Sequence, residues 1–564
     1  MLKSIRSLFS KKTIGKDAVA GLVLGVESVP DGLAGGLLAG VNPIYGLYGY
    51  LFGTVGGALA TSSVFMTVQA TGAMAIVVAD VGLNSYGEDE ARALFTLAVL
   101  TGVVMLAAGL LKLGFVLRFV SNAVMVGFIS AVGINIILGQ LDNFTGYEAE
   151  GGNRVARTFD LILHPTSADL TTVLVGCLTI FLIVVLEKSP MGPLGMVVAV
   201  IVGSGIVPLF DLDVAQLRDI TEIPSGLPAP TMPLFSAIPA LLIPALSLAF
   251  VGLVQGAGIT AGFPNPDGEY PDASRDFMGQ GVGNVVSGIF QGMPVGGSMS
   301  ATSLVKTAGS KTRMAQFIAG AVMAIIILLF GGLVGYIAMP ALAGLLMLVG
   351  FRTIKPDEIL AVWKTGRLNA VVMATTLVLT IIIPLQYAVL VGVAISMILY
   401  VIRQSNDLVV KQFIFEDGQR REVDPPDVVP ADDVIAIQPY GSLFFASAAV
   451  FEDQLPEVTD ASRNSVVIVR LRGRNDLGST LTEVLGRYGQ ALIDVDSKLV
   501  LITDSKKVID QLAATGVTDI VGSDGIYTSD EWVGKTLRRA YGEAEEWVAD
   551  NQATASGGDA DADA

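Results

Sequence analysis

The sequence predicts an α-helical membrane protein of about fourteen transmembrane segments in a seven-plus-seven inverted repeat, followed by a small cytoplasmic α/β domain. Three observations carry that prediction. The composition is 52% hydrophobic and 15% charged, with mean hydropathy +0.64, where an ordinary soluble domain is about 25% charged. Apolar segments able to cross a ~30 Å hydrocarbon core recur as far as residue 403 and then stop. Beyond that point short strand-like runs alternate with helical stretches.

The fourteen segments fall at 17–41, 44–61, 63–80, 93–111, 117–140, 171–187, 192–210, 237–262, 277–293, 296–307, 313–330, 332–351, 368–385 and 386–403. Residues 1–16 are basic and lack an apolar region ending in a small-residue cleavage site, so they read as a cytoplasmic segment rather than a signal peptide. With the first residues inside, 18 Lys and Arg fall in cytoplasmic loops or ends, among them Lys3, Lys12, Lys112, Arg118 and Arg313. Only Arg92, Arg154, Arg157 and Arg218 fall outside, which supports this register. An even span count returns the chain to the cytoplasm. The third and tenth segments are short and rich in small polar residues, so each is the third of its half. Interrupted segments at matching positions are the sequence mark of a transporter's central site.

Residues 404–433 read as a linker containing Pro425, Pro426 and Pro430. Residues 434–550 read as the α/β domain, with strands at 434–438, 442–446, 465–471 and 498–502. Its helices are expected at 449–459, 479–493, 505–515 and 529–549. Residues 551–564, rich in Gly, Asp and Ala, read as a disordered acidic tail. Residues 425–564 carry 24 acidic against 11 basic side chains, so most of the net charge of −17 sits there. That acidity argues against a nucleic-acid partner. A single cysteine, Cys177, and a single histidine, His164, exclude a disulfide framework, thiolate metal clusters and histidine triads. No metal site and no enzymatic chemistry are expected.

The tenth segment opens Met293-Pro294-Val295-Gly296-Gly297-Ser298-Met299-Ser300-Ala301-Thr302-Ser303. A half-helix starting there presents free N–H groups and a positive dipole end, an anion site without a fixed cation. A Gly/Ser-rich helix-packing face accounts for the same pattern. The third segment, Thr67-Val68-Gln69-Ala70-Thr71-Gly72-Ala73-Met74, has the same character, and two such tips facing each other would cradle an anion. Gln69, Thr71, Gly72, Gly297, Ser298 and Met299 are therefore the candidate binding residues. Gln255, alone in the apolar eighth span, is expected to bond substrate, backbone or a neighbouring helix. Glu27 and Asp31 in the first span are spaced i,i+4 and lie one turn apart on one face if the helix runs through Pro30. Intramembrane carboxylates are functional by default, and this pair is the candidate site for a coupling H⁺ or Na⁺. An ionised Asp31 near the anion would repel it, so it is protonated, holds a cation or points away.

Together these segments resemble the SulP family of anion transporters over about residues 17–550. The resemblance rests on Val29-Pro30-Asp31-Gly32-Leu33-Ala34, on Leu38-Ala39-Gly40-Val41-Asn42-Pro43-Ile44-Tyr45-Gly46-Leu47-Tyr48, on Gly279-Gln280-Gly281-Val282-Gly283-Asn284 and on Pro294 to Thr302. The C-terminal part resembles that family's STAS domain. The resemblance implies a core domain moving against a gate domain, a homodimer in the cell membrane, and substrates such as sulfate, bicarbonate, chloride, nitrate or dicarboxylates. Where many members carry Gln after the first-span proline this chain has Asp31. Where many carry an acidic residue in the eighth span it has Gln255, and where some carry a basic residue in the tenth segment it has Ala301. In the STAS-like part, Ser479 and Thr480 read as a helix N-cap, or as the position that anti-sigma-factor antagonists phosphorylate. The function expected is secondary active transport of a small inorganic anion by alternating access, with H⁺ or Na⁺ as candidate coupling ion and no other cofactor. The alternatives are an uncoupled anion channel, a dicarboxylate or nucleobase permease, and a sensor with a vestigial membrane part.

Overall fold

The computed structural model describes residues 13–114, 121–220, 226–416, 419–471, 473–529 and 534–558. Residues 1–12 and Arg118, read above as cytoplasmic charges, lie outside the described residues, as does the tail from 559. The chain divides into two compact units, Met1–Ser396 and Met397–Ala564.

A helix stands at each of the fourteen expected positions. They are α1 (Ile14–Leu38), α2 (Pro43–Ala60), α3 (Gly72–Ala79), α4 (Glu90–Leu110), α5 (Asn122–Leu138), α6 (Leu170–Glu187) and α7 (Leu194–Leu209). The second set comprises α8 (Ile238–Gly262), α9 (Ala273–Ile289), α10 (Met299–Thr307), α11 (Met314–Val334), α12 (Met339–Thr353), α13 (Arg367–Ile382) and α14 (Leu385–Asn406). Among the described residues, six helical stretches are long and apolar enough by themselves to cross a membrane. The remaining helices are shorter or loaded with glycine and polar residues, and their apolarity alone does not mark them.

Caps explain several boundaries. Asn42 accepts the Ile44 N–H at 3.1 Å and Pro43 occupies the first helical position, so α2 begins there. Asp272 accepts the Arg275 N–H and opens α9. Two helices start well after the expected span: the third at Gly72 rather than 63, behind a short strand, and the twelfth at Met339 rather than 332. The N–H groups of Leu217 and Met339 donate to Ile337 and Ala215, holding the preceding segment extended until Pro340 restarts a helix. Pro30 lies inside α1 without ending it. One backbone hydrogen bond is forfeited, and packing against α2 and α11 retains the helix.

The helices form two bundles. In one, α9 packs on α4 and α2, α11 on α1, and α8 on α4. In the other, α12 and α13 pack on α5, and α6 packs on α7 and α12. Each half of the sequence supplies four helices to the first bundle and three to the second. Contacts are close because small residues line them. At Gly46 on α2, a Cβ would lie 2.1 Å from the Gly32 carbonyl oxygen of α1.

The second unit holds a six-stranded sheet in the order β4-β3-β5-β6-β7-β8. The strands are β3 (Val409–Glu416), β4 (Gln419–Val423), β5 (Val434–Tyr440), β6 (Val466–Arg470), β7 (Lys498–Thr503) and β8 (Ile526–Thr528). β5 to β8 are parallel, and β3 pairs antiparallel with both neighbours. The helices are α15 (Ala448–Asp453), α16 (Gly478–Ile493), α17 (Lys506–Ala514), α18 (Val517–Val521) and α19 (Lys535–Gly558). Ile435, Val467 and Leu501 face α16 and α17 in one core, while Ala436, Ile468 and Ile502 face α19 in the other. With both faces covered, the parallel strands read as nearly unbroken apolar runs.

Three expectations for this unit are corrected. The strand expected at 442–446 is a turn: Gly441 has φ +99° and the Ser447 hydroxyl engages Phe444 and Ser442. The stretch expected as linker contains the β3–β4 hairpin, with Phe413 buried under α19. The last helix runs to Gly558, eight residues into the stretch expected as tail.

Candidate functional site

The site begins as two short strands. β1 (Thr67–Gln69) pairs antiparallel with β2 (Gly296–Ser298), in the register Thr67 to Ser298, Val68 to Gly297 and Gln69 to Gly296. All six residues are buried. α3 starts three residues beyond β1 and α10 directly beyond β2. Antiparallel pairing therefore sends the two half-helices away from each other and leaves both N-termini beside one ribbon. The sequence reading anticipated facing tips; the ribbon that joins them is additional.

Each tip is capped by its own hydroxyl residue. Thr71 Oγ1 accepts the Met74 N–H at 3.3 Å and donates to Gln255 Oε1 at 2.9 Å. Ser298 Oγ accepts the Ala301 N–H at 3.3 Å and lies 3.1 Å from Ser300 Oγ. Thr67 N–H donates to Thr302 Oγ1 at 3.2 Å, which ties the start of β1 to α10. The first-turn N–H groups at Gly72, Ala73, Met299 and Ser300 have no acceptor within their own helices. Met299 and Ser300 are exposed, and Thr71, Gly72 and Gln255 are half-buried. A Cβ at Gly258 would sit 3.6 Å from Met299 Cε. Thr71, Gln255 and Met299 are thus partly accessible beside the N-termini of two half-helices, whose dipole ends favour an anion.

Other expected residues have different duties. Gln69 is buried and its Nε2 donates to Ser28 Oγ at 2.8 Å, binding the ribbon to α1. The Gly297 N–H already donates to Gln280 Oε1 at 3.0 Å, so it does not point free at a ligand. Gln255 serves as a link between α8 and α3. Glu27 and Asp31 do lie one turn apart on a continuous α1. Asp31 Oδ2 accepts the Tyr50 hydroxyl at 2.7 Å, and no described hydrogen bond joins either carboxylate to the half-helix tips.

The supports are the residues that sequence reasoning passed over. Asn284 of α9 accepts the Val295 N–H at 2.9 Å and donates to the Val295 carbonyl at 2.5 Å, completing a strand-like pair for one residue. Gln280, one turn earlier, takes the next available N–H. Its Nε2 is buried with no partner and lies against Gly256 of α8, where a Cβ would come within 2.1 Å of it. Asp276, also on α9 and wholly buried, accepts from the Thr61 and Ser62 hydroxyls, the Ser62 and Ser63 N–H groups and the Thr260 hydroxyl. One face of α9 therefore positions the entry to β1, through residues 61–63, and the entry and middle of β2, through Val295 and Gly297. The stretch 279–284 signalled this only through its unusual amides, with nothing to say what they touch.

In the second unit neither Ser479 nor Thr480 caps α16, whose N-cap position is Leu477. Asp476, one residue before it, accepts the Gly478 N–H at 3.1 Å and also pairs with Lys507 at 2.5 Å and Gln511 at 2.7 Å. These partners hold its carboxyl below the usual range, at about 2.

Half-helix tips brought together within a two-bundle helical fold are the arrangement of a transporter's central site. The family model described as the sulfate permease family matches residues 14–376, well over half of the chain, and the chain belongs to that family. It is a multi-pass membrane protein that transports anions. Sulfate transporter 4.1, chloroplastic, of Arabidopsis thaliana is 23% identical over 537 residues, covering 91% of this chain and 78% of that one. Bicarbonate transporter BicA of Picosynechococcus is 26% identical over 405 residues, covering 70% of this chain and 71% of that one. The murine solute carrier 26 family member A9 anion transporter, solved in the inward-facing state, superposes with TM-score 0.81 at 19% identity, over 94% of this chain and 92% of that one. That likeness bears on the fold.

Proposed function

We propose that the protein is a secondary active transporter of a small inorganic anion of the sulfate, bicarbonate or chloride class, working by alternating access. The observation that carries this reading is the β1–β2 ribbon. It sets two helix N-termini beside Thr71, Gln255 and Met299, and no lysine or arginine enters the described hydrogen bonds of those residues. Backbone amides and hydroxyls alone would then offset the anion's charge, which suits an ion that must leave as well as bind. The two bundles are the candidate core and gate, the first holding the site. The fourteen helices read as fourteen spans in a seven-plus-seven repeat, with both ends cytoplasmic and the protein in the cell membrane. The α/β unit is read as a STAS domain, and a homodimer follows from the resemblance. Glu27 and Asp31 remain the candidate coupling pair for H⁺ or Na⁺, acting from α1 rather than from the eighth span.

The test is radiolabelled uptake into proteoliposomes with a panel of anions under imposed H⁺ and Na⁺ gradients. Saturable uptake that follows one cation gradient is the expected result. Currents reversing at the anion's equilibrium potential, without gradient-driven accumulation, would instead identify a channel. Uptake and gradient dependence unchanged in both Glu27→Gln and Asp31→Asn would remove the coupling role from that pair.

A further inference from the structure

Between α1, α7 and α11 the membrane unit holds a groove of about 480 Å³. Val29 and Pro30 of α1 and Val200 of α7 form its floor. Ile201, Phe330 and Leu333 form its rim and are exposed to 61%, 48% and 67%. These rim side chains belong to membrane helices, so the groove opens sideways toward hydrocarbon. Packed interiors do not leave such a volume empty, because lining atoms without neighbours forfeit their dispersion contacts. In a bilayer the available filler is an acyl chain.

One end of the groove carries a charge. Tyr336 lines that end, and the Arg218 guanidinium lies over the Tyr336 ring, 4.4 Å from its centroid. Arg218 is held in place by its main chain, its N–H donating to the Gly335 carbonyl at 2.9 Å. Among the described residues its one ionic neighbour is Asp219, 3.9 Å from Nε. The other Asp219 oxygen is taken by the Gln216 N–H at 2.7 Å. The two terminal nitrogens of Arg218 face no acceptor among the described residues. Loop position places this cation at headgroup level, just past the end of α7, with a phenol ring beside it. An apolar slot ending in a fixed, aromatic-backed guanidinium matches one kind of bilayer component, an acyl chain with a phosphate at its head.

We propose that this groove is a binding site for an anionic phospholipid, with one acyl chain lying between α7 and the α1–α11 pair and its phosphate on Arg218. The site is separate from the anion site, and it requires only that these helices sit in a bilayer. Gly205 gives a clean way to close it. This residue lines the groove on α7, and a Cβ there meets nothing within 4 Å, so a side chain added at this position starts into open space on the groove.

The experiment is native mass spectrometry of the full chain in mild detergent, titrated with phosphatidylglycerol, phosphatidylcholine or glycerol 3-phosphate. The wild type should retain phosphatidylglycerol about fivefold better than phosphatidylcholine, the effect of one headgroup-level arginine. Arg218→Gln, a change at an exposed side chain, should erase that preference and leave phosphatidylcholine retention as it was. Gly205→Leu should lose both lipids. Glycerol 3-phosphate, which has no acyl chain, should not compete. Equal retention of the two phospholipids by the wild type, an unchanged preference in Arg218→Gln, unchanged retention in Gly205→Leu, or competition by glycerol 3-phosphate would each overturn the proposal.

Discussion

Gly256 is the residue whose replacement should report most directly on how the tenth segment is held. In Gly256→Ala the new methyl would sit 2.1 Å from Gln280 Nε2 and 2.9 Å from its Cδ. That contact cannot stand, and the amide is the end of a flexible side chain, so Gln280 moves. Moving it breaks the 3.0 Å bond to the Gly297 N–H and leaves a buried donor without an acceptor. A hydrogen bond lost in this way costs about 1–3 kcal/mol. At about 1.4 kcal/mol per tenfold, this sets a ceiling of roughly 100-fold on the loss of apparent affinity. The observed loss depends on how much of that ordering the bound anion must restore. The assay is saturable anion uptake into proteoliposomes for Gly256→Ala, Gln280→Ala and the double variant. If both single changes act through the one bond, each raises KM several-fold and the double variant is no worse than Gln280→Ala alone. Additive losses, or a Gly256→Ala protein with wild-type KM, would show that the contact does not act through Gln280.

Other changes separate the remaining roles. Asn284→Asp should damage folding yield more than Asn284→Ala, because it turns an acceptor toward the Gln280 and Val295 carbonyls, 2.9 Å and 2.5 Å from Nδ2; fluorescence-detected size exclusion ranks the two. Thr71→Val should cost about 1 kcal/mol in the cap of α3 and release Gln255, while Thr71→Ser retains most uptake. Asp276→Leu should leave no folded protein, since five donors lose one acceptor, whereas Asp276→Asn should fold with a lowered melting temperature in a thermal scan. For Asp476 the depressed carboxyl stabilises the α16–α17 junction while ionised. Hydrogen-exchange protection at the start of α16, taken relative to the intrinsic rate at each pH, should therefore be high at neutral pH, fall as pH drops from about 4 through about 2, and be low at pH 7 in Asp476→Asn.

The helical part of this fold was legible because spanning a membrane imposes long apolar runs, and because Pro294 and the small polar residues around it cannot belong to an ordinary span. Pairing was not legible. Nothing local in Gly296-Gly297-Ser298 tells that this stretch lies against Thr67-Val68-Gln69, more than two hundred residues earlier. The same limit hid the use of the Gly297 N–H, since its acceptor sits on a different helix. Asp31 and Glu27 were readable as an intramembrane pair, but not the Tyr50 hydroxyl that occupies Asp31. In the second unit, Val409-Val410-Lys411-Gln412-Phe413-Ile414-Phe415 has strand character, but it follows directly on an apolar span and precedes a proline-rich stretch, so its local pattern does not separate β3 from linker. The stretch at 442–446 has apolar character as well, yet it follows a left-handed Gly441 and cannot continue β5.

The ribbon between β1 and β2 also constrains how the protein can work. With the two helix tips paired along one ribbon, the proposed alternating access moves both tips as one block, and the barrier slides or tilts around them. Locking β1 to β2 with a cross-link should then leave turnover untouched, whereas stapling that block to its surroundings should stop it.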